Sequence, residues 1–273
     1  MTVRAMLRKL VSAGLWLAAF LACAPDAHAD WDLTLFLGRA FPAAEDRLVL
    51  RAPGVPSLPG VDITASGTPE IRADGGSVFG AALALEAGVI GIEGRLDTAE
   101  VGFDLIGARY DFRITSAPLA GAQGSLTLGD GRFEADRLTL MSLNLRLRTP
   151  GPVGLIASGG LSYLPSFEIT GTTPAVLDLN GLTVAAFDPR LRLMVAPGES
   201  EHRFGVNGGA GLRIGGGRLA IVAEARVFYF REYELRFALD DAPGLLNDLL
   251  ADLEPIAFEP VLVNAQAGVV IRF

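Results

Sequence analysis

Apolar and polar residues alternate with period two over eight stretches of this chain. In the first, Trp31, Leu33, Leu35 and Leu37 share one face, while Asp32, Thr34, Phe36 and Gly38 share the other. Such a rhythm predicts a β-strand with one apolar flank. The last stretch behaves alike, with Val261, Val263, Ala265, Ala267, Val269, Ile271 and Phe273 set against Asn264, Gln266, Gly268 and Arg272. Six more segments fit between them: Phe79–Leu85 and Ile90–Asp97, Met141–Leu147 and Val153–Tyr163, Phe204–Ile214 and Leu219–Tyr229. The members of each pair are joined by a tight turn, at Ala87-Gly88, at Thr149-Pro150-Gly151-Pro152 and at Gly215-Gly216-Gly217.

The remaining connections, at about 42–76, 99–136, 165–203 and 231–260, are long and polar. Short turns at one end and long loops at the other are the asymmetry of a closed, antiparallel, up-and-down transmembrane β-barrel, here of eight strands, with short periplasmic turns and long extracellular loops. In water, strands with so greasy a flank would aggregate; in lipid, acyl chains solvate that flank. A soluble, lipocalin-like barrel is the competing reading, but it would point the apolar faces inward and leave Glu93, Arg95, Glu224 and Arg226 outside.

Aromatic residues sharpen the picture. Phe41, Phe79, Tyr163, Phe204 and Tyr229 fall on the outward flank at the loop-proximal strand ends, and Trp31 and Phe273 at the opposite ends. Two rings of aromatics, one per interface, are expected of a membrane barrel. Within the loops, Pro53 to Gly60 reads as irregular chain. Leu126–Leu128 and Leu191–Leu193 either extend strands above the membrane as hairpins or raise the strand count to ten. Residues 244–254, with Leu245, Leu246, Leu249, Leu250 and Leu253 on one face, predict a short amphipathic helix in the last loop, stopped by Pro255. Its leucine face would cover the barrel mouth, lie in the lipid interface or meet a ligand.

Half of the 273 residues are hydrophobic, yet after the first thirty none of the apolar runs is long enough for a spanning helix. The amino-terminal segment has a basic stretch to Lys9, an apolar core from Leu10 to Leu21, and Ala27 and Ala29 flanking His28, so residues 1–29 read as a cleaved signal peptide and 30–273 as the barrel. An uncleaved anchor, or a lipid-modified Cys23 after Phe20-Leu21-Ala22, fits the segment less well. Cys23 is the only cysteine, so neither a disulfide nor a thiolate metal site is expected in the exported part. A formal net charge of -8 argues against a nucleic-acid partner.

Five charged residues, Glu93, Arg95, Arg146, Glu224 and Arg226, lie on the inward phase of their strands. An eight-stranded lumen is just wide enough for side chains to fill, so these charges are expected to pair as a plugging network; a gated pore is the functional alternative. His202 stands beside Ser200 and Glu201, residue types that serve in acyl transfer, but sequence neighbours on a strand point apart and seldom form a triad. No enzyme activity, cofactor or metal is therefore expected. The acidic cluster at Asp240, Asp241, Asp248, Asp252 and Glu254 lacks the spacing of a calcium loop.

The opening from Trp31 to Phe41, the run Gly91-Ile92-Glu93-Gly94-Arg95 and the closing Val269-Val270-Ile271-Arg272-Phe273 resemble the small outer-membrane barrel domains of the OmpA, OmpX and OmpW type. The resemblance spans the strands and not the long loops. It implies the outer membrane of a Gram-negative bacterium, with lipid and lipopolysaccharide as surroundings. It also implies a barrel-assembly machinery as transient partner, with Val269, Ile271 and Phe273 as the assembly signal. A structural or surface-interaction role is then expected. The alternatives are a narrow channel for a small hydrophobic ligand, guided by lumen-facing Phe36, Phe228 and Val222, and a lipid-A-modifying enzyme.

Overall fold

In the computed structural model, the described residues are 29–42 and 70–239, with breaks at 108, 116–119, 136, 166–167, 189 and 196–201, together with 48–49, 61–66, 256–258 and 261–273. The first 28 residues, Pro53 to Gly60 and the leucine-rich stretch 244–254 lie outside them, and so do the readings placed there. No helix occurs among the described residues.

Eight strands form the wall: β1 (Ala29–Pro42), β2 (Glu70–Ala87), β3 (Ile90–Ile106), β4 (Leu138–Arg148), β5 (Val153–Leu164), β6 (Arg203–Ile214), β7 (Leu219–Phe230) and β8 (Val261–Arg272). Each pairs antiparallel with the next. β8 returns to β1, with Arg272 opposite Asp32 and Leu262 opposite Pro42, so the sheet closes on itself and leaves no edge. The count is eight, not ten: Leu126–Leu128 and Leu191–Leu193 belong to strands beyond the wall. The three tight turns carry glycines with positive φ, among them Gly88, Gly151 and Gly217, a backbone region that a side chain would disfavour.

Where they are described, the long connections are largely strand rather than loop. Beyond the rim, the wall continues as a second tier. Residues 70–75 of β2 and 101–106 of β3 are followed round by Gly131–Ala135, Ile169–Thr172, Arg190–Val195, Tyr233–Leu239 and Ile256–Phe258, with Leu48–Val49 on the far side of β2. Among the described residues no pairing joins 256–258 to 48–49. Farther out, Val61–Ser66, Arg109–Ile114, Gln123–Leu128, Ala175–Leu179 and Leu182–Phe187 make a separate five-stranded sheet.

Inside and outside follow the alternation. Leu35, Leu37, Leu83, Leu96, Leu145, Leu155, Leu212 and Ile221 are exposed on the outer flank, whereas Asp32, Thr34, Phe36, Glu93, Arg95 and Arg226 are buried. Leu85 is outward by phase yet buried; it is flanked in register by Trp31 and Ile92. Above the rim the outer flank changes character: Glu100 and Asp104 on β3 and Arg132 and Glu134 beside them are exposed, while Val101, Phe103, Leu105 and Phe133 remain buried.

Candidate functional site

The lumen is the concave feature that every wall strand builds. Its turn-side half is filled by charges. From the mouth inward, Arg272 contacts Asp30 at 3.5 Å, Asp32 at 2.8 Å and Glu86 at 3.0 Å, and Arg213 meets Asp32 at 2.6 Å. Glu86 also takes Arg148 at 2.9 Å and Arg146 at 3.5 Å. Arg146 then reaches Glu93 at 3.5 Å, and Glu93 takes Arg226 at 3.0 Å. Arg226 and Arg95 share Glu224 at 2.7 and 3.2 Å, and Arg95 ends the ladder on Asp97 at 2.8 Å. Six carboxylates and six guanidinium groups thus alternate along one connected path. The path carries no net charge, which is the condition under which ions tolerate burial.

Neutral polar groups complete it. Asn144 donates to Glu93, Asn207 donates to Asn144 and Ser162, and Arg226 donates to Ser158 and Asn207. The guanidinium of Arg95 stacks 3.9 Å above the ring of Phe36, a cation–π contact. Phe36 fits there because position 80 is glycine: a Cβ on Gly80 would lie 2.6 Å from its ring. Among the described residues, the amides of Asn264 and Gln266 and the hydroxyl of Thr34 find no hydrogen-bond partner.

Toward the loops, side chains change from charged to apolar. Ala40, Val78, Ala99, Leu140, Leu164, Phe228, Phe230 and Leu262 meet in one cluster that runs on into Phe103, Phe133, Ile169 and Leu235 of the second tier. Val222 packs at the other end with Ile156, Ala220 and Val270. Phe36, Phe228 and Val222, read as guides for a ligand, are all buried: Phe228 in the loop-side cluster, Val222 in the turn-side one, and Phe36 beneath Arg95.

At the turn end, the amide of Phe273 donates to the carbonyl of Trp31, so these two residues are neighbours across the seam; both are exposed, and Val269 and Ile271 share the outward flank of β8. Phe41, Phe79 and Tyr229 are exposed near the loop end, and the Tyr163 and Phe204 rings lie 5.3 Å apart there. His202 engages the Tyr163 hydroxyl through Nδ1 at 2.9 Å; Ser200 and Glu201 lie outside the described residues. The ladder also takes in Asp30, Asp32, Glu86, Asp97, Arg148, Arg213 and Arg272, seven residues beyond the five expected from sequence, each on the inward phase of its strand.

The outer wall carries a shallow apolar groove of about 370 Å³, whose lining includes Leu33, Ala81, Leu83, Gly94, Leu96 and Met141. Farther out, burial lifts the Tyr110 phenol above the ordinary tyrosine range.

No family model matches the chain, and no curated protein matches it. Among solved structures it is similar to the outer membrane protein OprG from Pseudomonas aeruginosa, at 12% identity over 90% of this chain and 97% of that one, with a TM-score of 0.44. A likeness this slight carries no argument; the geometry of wall and lumen does.

Proposed function

We propose that this chain is an outer-membrane β-barrel protein whose lumen is sealed and whose role is structural or surface-interactive. One observation carries the reading: along a single continuous wall the interior stays packed from end to end, while the exterior turns from apolar to charged at the row of Phe79 and Thr98. A protein wholly in water gains nothing from such a band, whereas a bilayer requires it. From Val153 to Tyr163, at about 3.4 Å per residue and a strand tilt of about 40°, the band stands about 25 Å tall, the height expected of an outer-membrane barrel.

Export by a signal peptide cleaved after Ala29, contact with lipopolysaccharide and insertion by the barrel-assembly machinery belong to this same proposal. The ladder and the apolar cluster then seal the barrel, leaving the outer tiers as the part that meets the surroundings. The test joins three measurements on the full chain. It fractionates with outer membranes, it migrates faster on unheated than on heated denaturing gels, and in planar bilayers it gives no steady conductance. Recovery as a detergent-free soluble protein overturns the membrane reading; stable single-channel steps overturn the sealed lumen.

A further inference from the structure

Among the described residues, Arg39 is the one charged side chain on the outward flank with exposed apolar residues on both sides of it along its strand, Leu37 at 73% and Phe41 at 45% exposure. Across the ladder it faces Ala265 on β8 and Ser77 on β2. Its guanidinium carbon lies 5.8 Å from the Phe41 ring, and one nitrogen reaches the Gly75 carbonyl at 3.5 Å. The nearby carboxylate of Glu100 is taken by the Ser77 hydroxyl, and Arg39 forms no ion pair with it. Twelve other charges of this barrel are paired within the lumen; this one stands on the outer flank with no carboxylate partner among the described residues.

A lone arginine on a lipid-facing flank is costly at the bilayer midplane and nearly free of cost at the interface. Arg39 stands next to the aromatic Phe41 at the loop-side end, where lipid headgroups begin. There the planar fork of a guanidinium meets phosphate oxygens in its preferred geometry. We propose that Arg39 is a lipid-binding residue that holds the phosphate of an anionic lipid on the loop-side boundary of the membrane. The site rests on the membrane reading of the barrel. Phe41 backs the cation, and Ala265 leaves the flank beside it flat for the lipid's first methylenes.

The test uses the full chain, refolded and reconstituted in nanodiscs of phosphatidylcholine doped with phosphatidic acid, then released for native mass spectrometry. Wild type is expected to retain phosphatidic acid over phosphatidylcholine. Arg39→Gln is expected to lower that retention on the order of tenfold, the equivalent of one charge-assisted hydrogen bond, with Arg39→Lys recovering part of it. Arg218→Gln, at the opposite end of the barrel, should retain as wild type does. Equal retention by Arg39→Gln and wild type, no preference in wild type, or equal loss in both Gln variants overturns the proposal. Heat-dependent gel mobility is read on every sample: if it shows an inserted barrel without lipid preference, the Arg39 site alone falls, and if no barrel inserts, the membrane reading falls with it.

Discussion

At the level of single residues, the lumen holds charges at a density that only mutual pairing sustains. Arg226 is fully buried and satisfied by Glu93, Glu224, Ser158 and Asn207. Replacing it with methionine keeps volume but strands two carboxylates. The expected loss is about 3–5 kcal/mol of unfolding free energy, measured by urea titration of the protein in lipid vesicles. A loss under about 1 kcal/mol would mean that solvent screens the pair, as in an open lumen, and would remove the basis for the sealed barrel. The partners of these charges could not be read from sequence. Alternation fixes which side of the wall Arg146 or Glu224 occupies, but which carboxylate meets which arginine depends on the stagger between strands. Arg95 and Glu224, for example, are 129 residues apart. The same inward phase marks Asp30, Asp32, Glu86, Asp97, Arg148, Arg213 and Arg272, so phase alone is the signal that finds them.

Strands differ in how they announce themselves. Those of the wall were legible because one flank is apolar over most of its length, as in Val153, Leu155, Ala157, Leu161 and Tyr163. The outer tiers were not, because the outer flank becomes polar above Thr98 and the sequence then resembles a polar connection. Yet Val101, Phe103 and Leu105 still alternate with Gly102 and Asp104, the signature of a strand between a core and water. Their local stability depends on turn chemistry. The hairpin of Ala175–Leu179 and Leu182–Phe187 turns through Asn180 and Gly181, with φ of 51° and 79°, the two-residue turn that favours Asn-Gly. Gly181→Ala is expected to cost about 1 kcal/mol locally. Hydrogen exchange over 175–187 should accelerate about fivefold while exchange in β5 and β6 holds. Acceleration spread equally through the wall would show that tiers and wall open as one unit.

For the whole molecule, the decisive question is what solvent each height of the wall meets. Leu145, half exposed in the middle of β4, and Asp104, exposed above the rim, probe the two regimes. Leu145→Arg is expected to destabilise the bilayer-inserted barrel by about 2–4 kcal/mol, whereas Asp104→Arg should stay within about 0.5 kcal/mol. Equal small effects in vesicle unfolding experiments would mean that no lipid band exists. At the turn-side mouth, Arg272 grips Asp32 across 240 positions of chain. That grip joins the first strand of the wall to the eighth. A ribosome releases Asp32 long before its counterpart exists, so the ring cannot shut progressively during synthesis. Until the eighth strand arrives, the arginines and carboxylates of the first are without their counterparts, so closure is the last step that the wall can take.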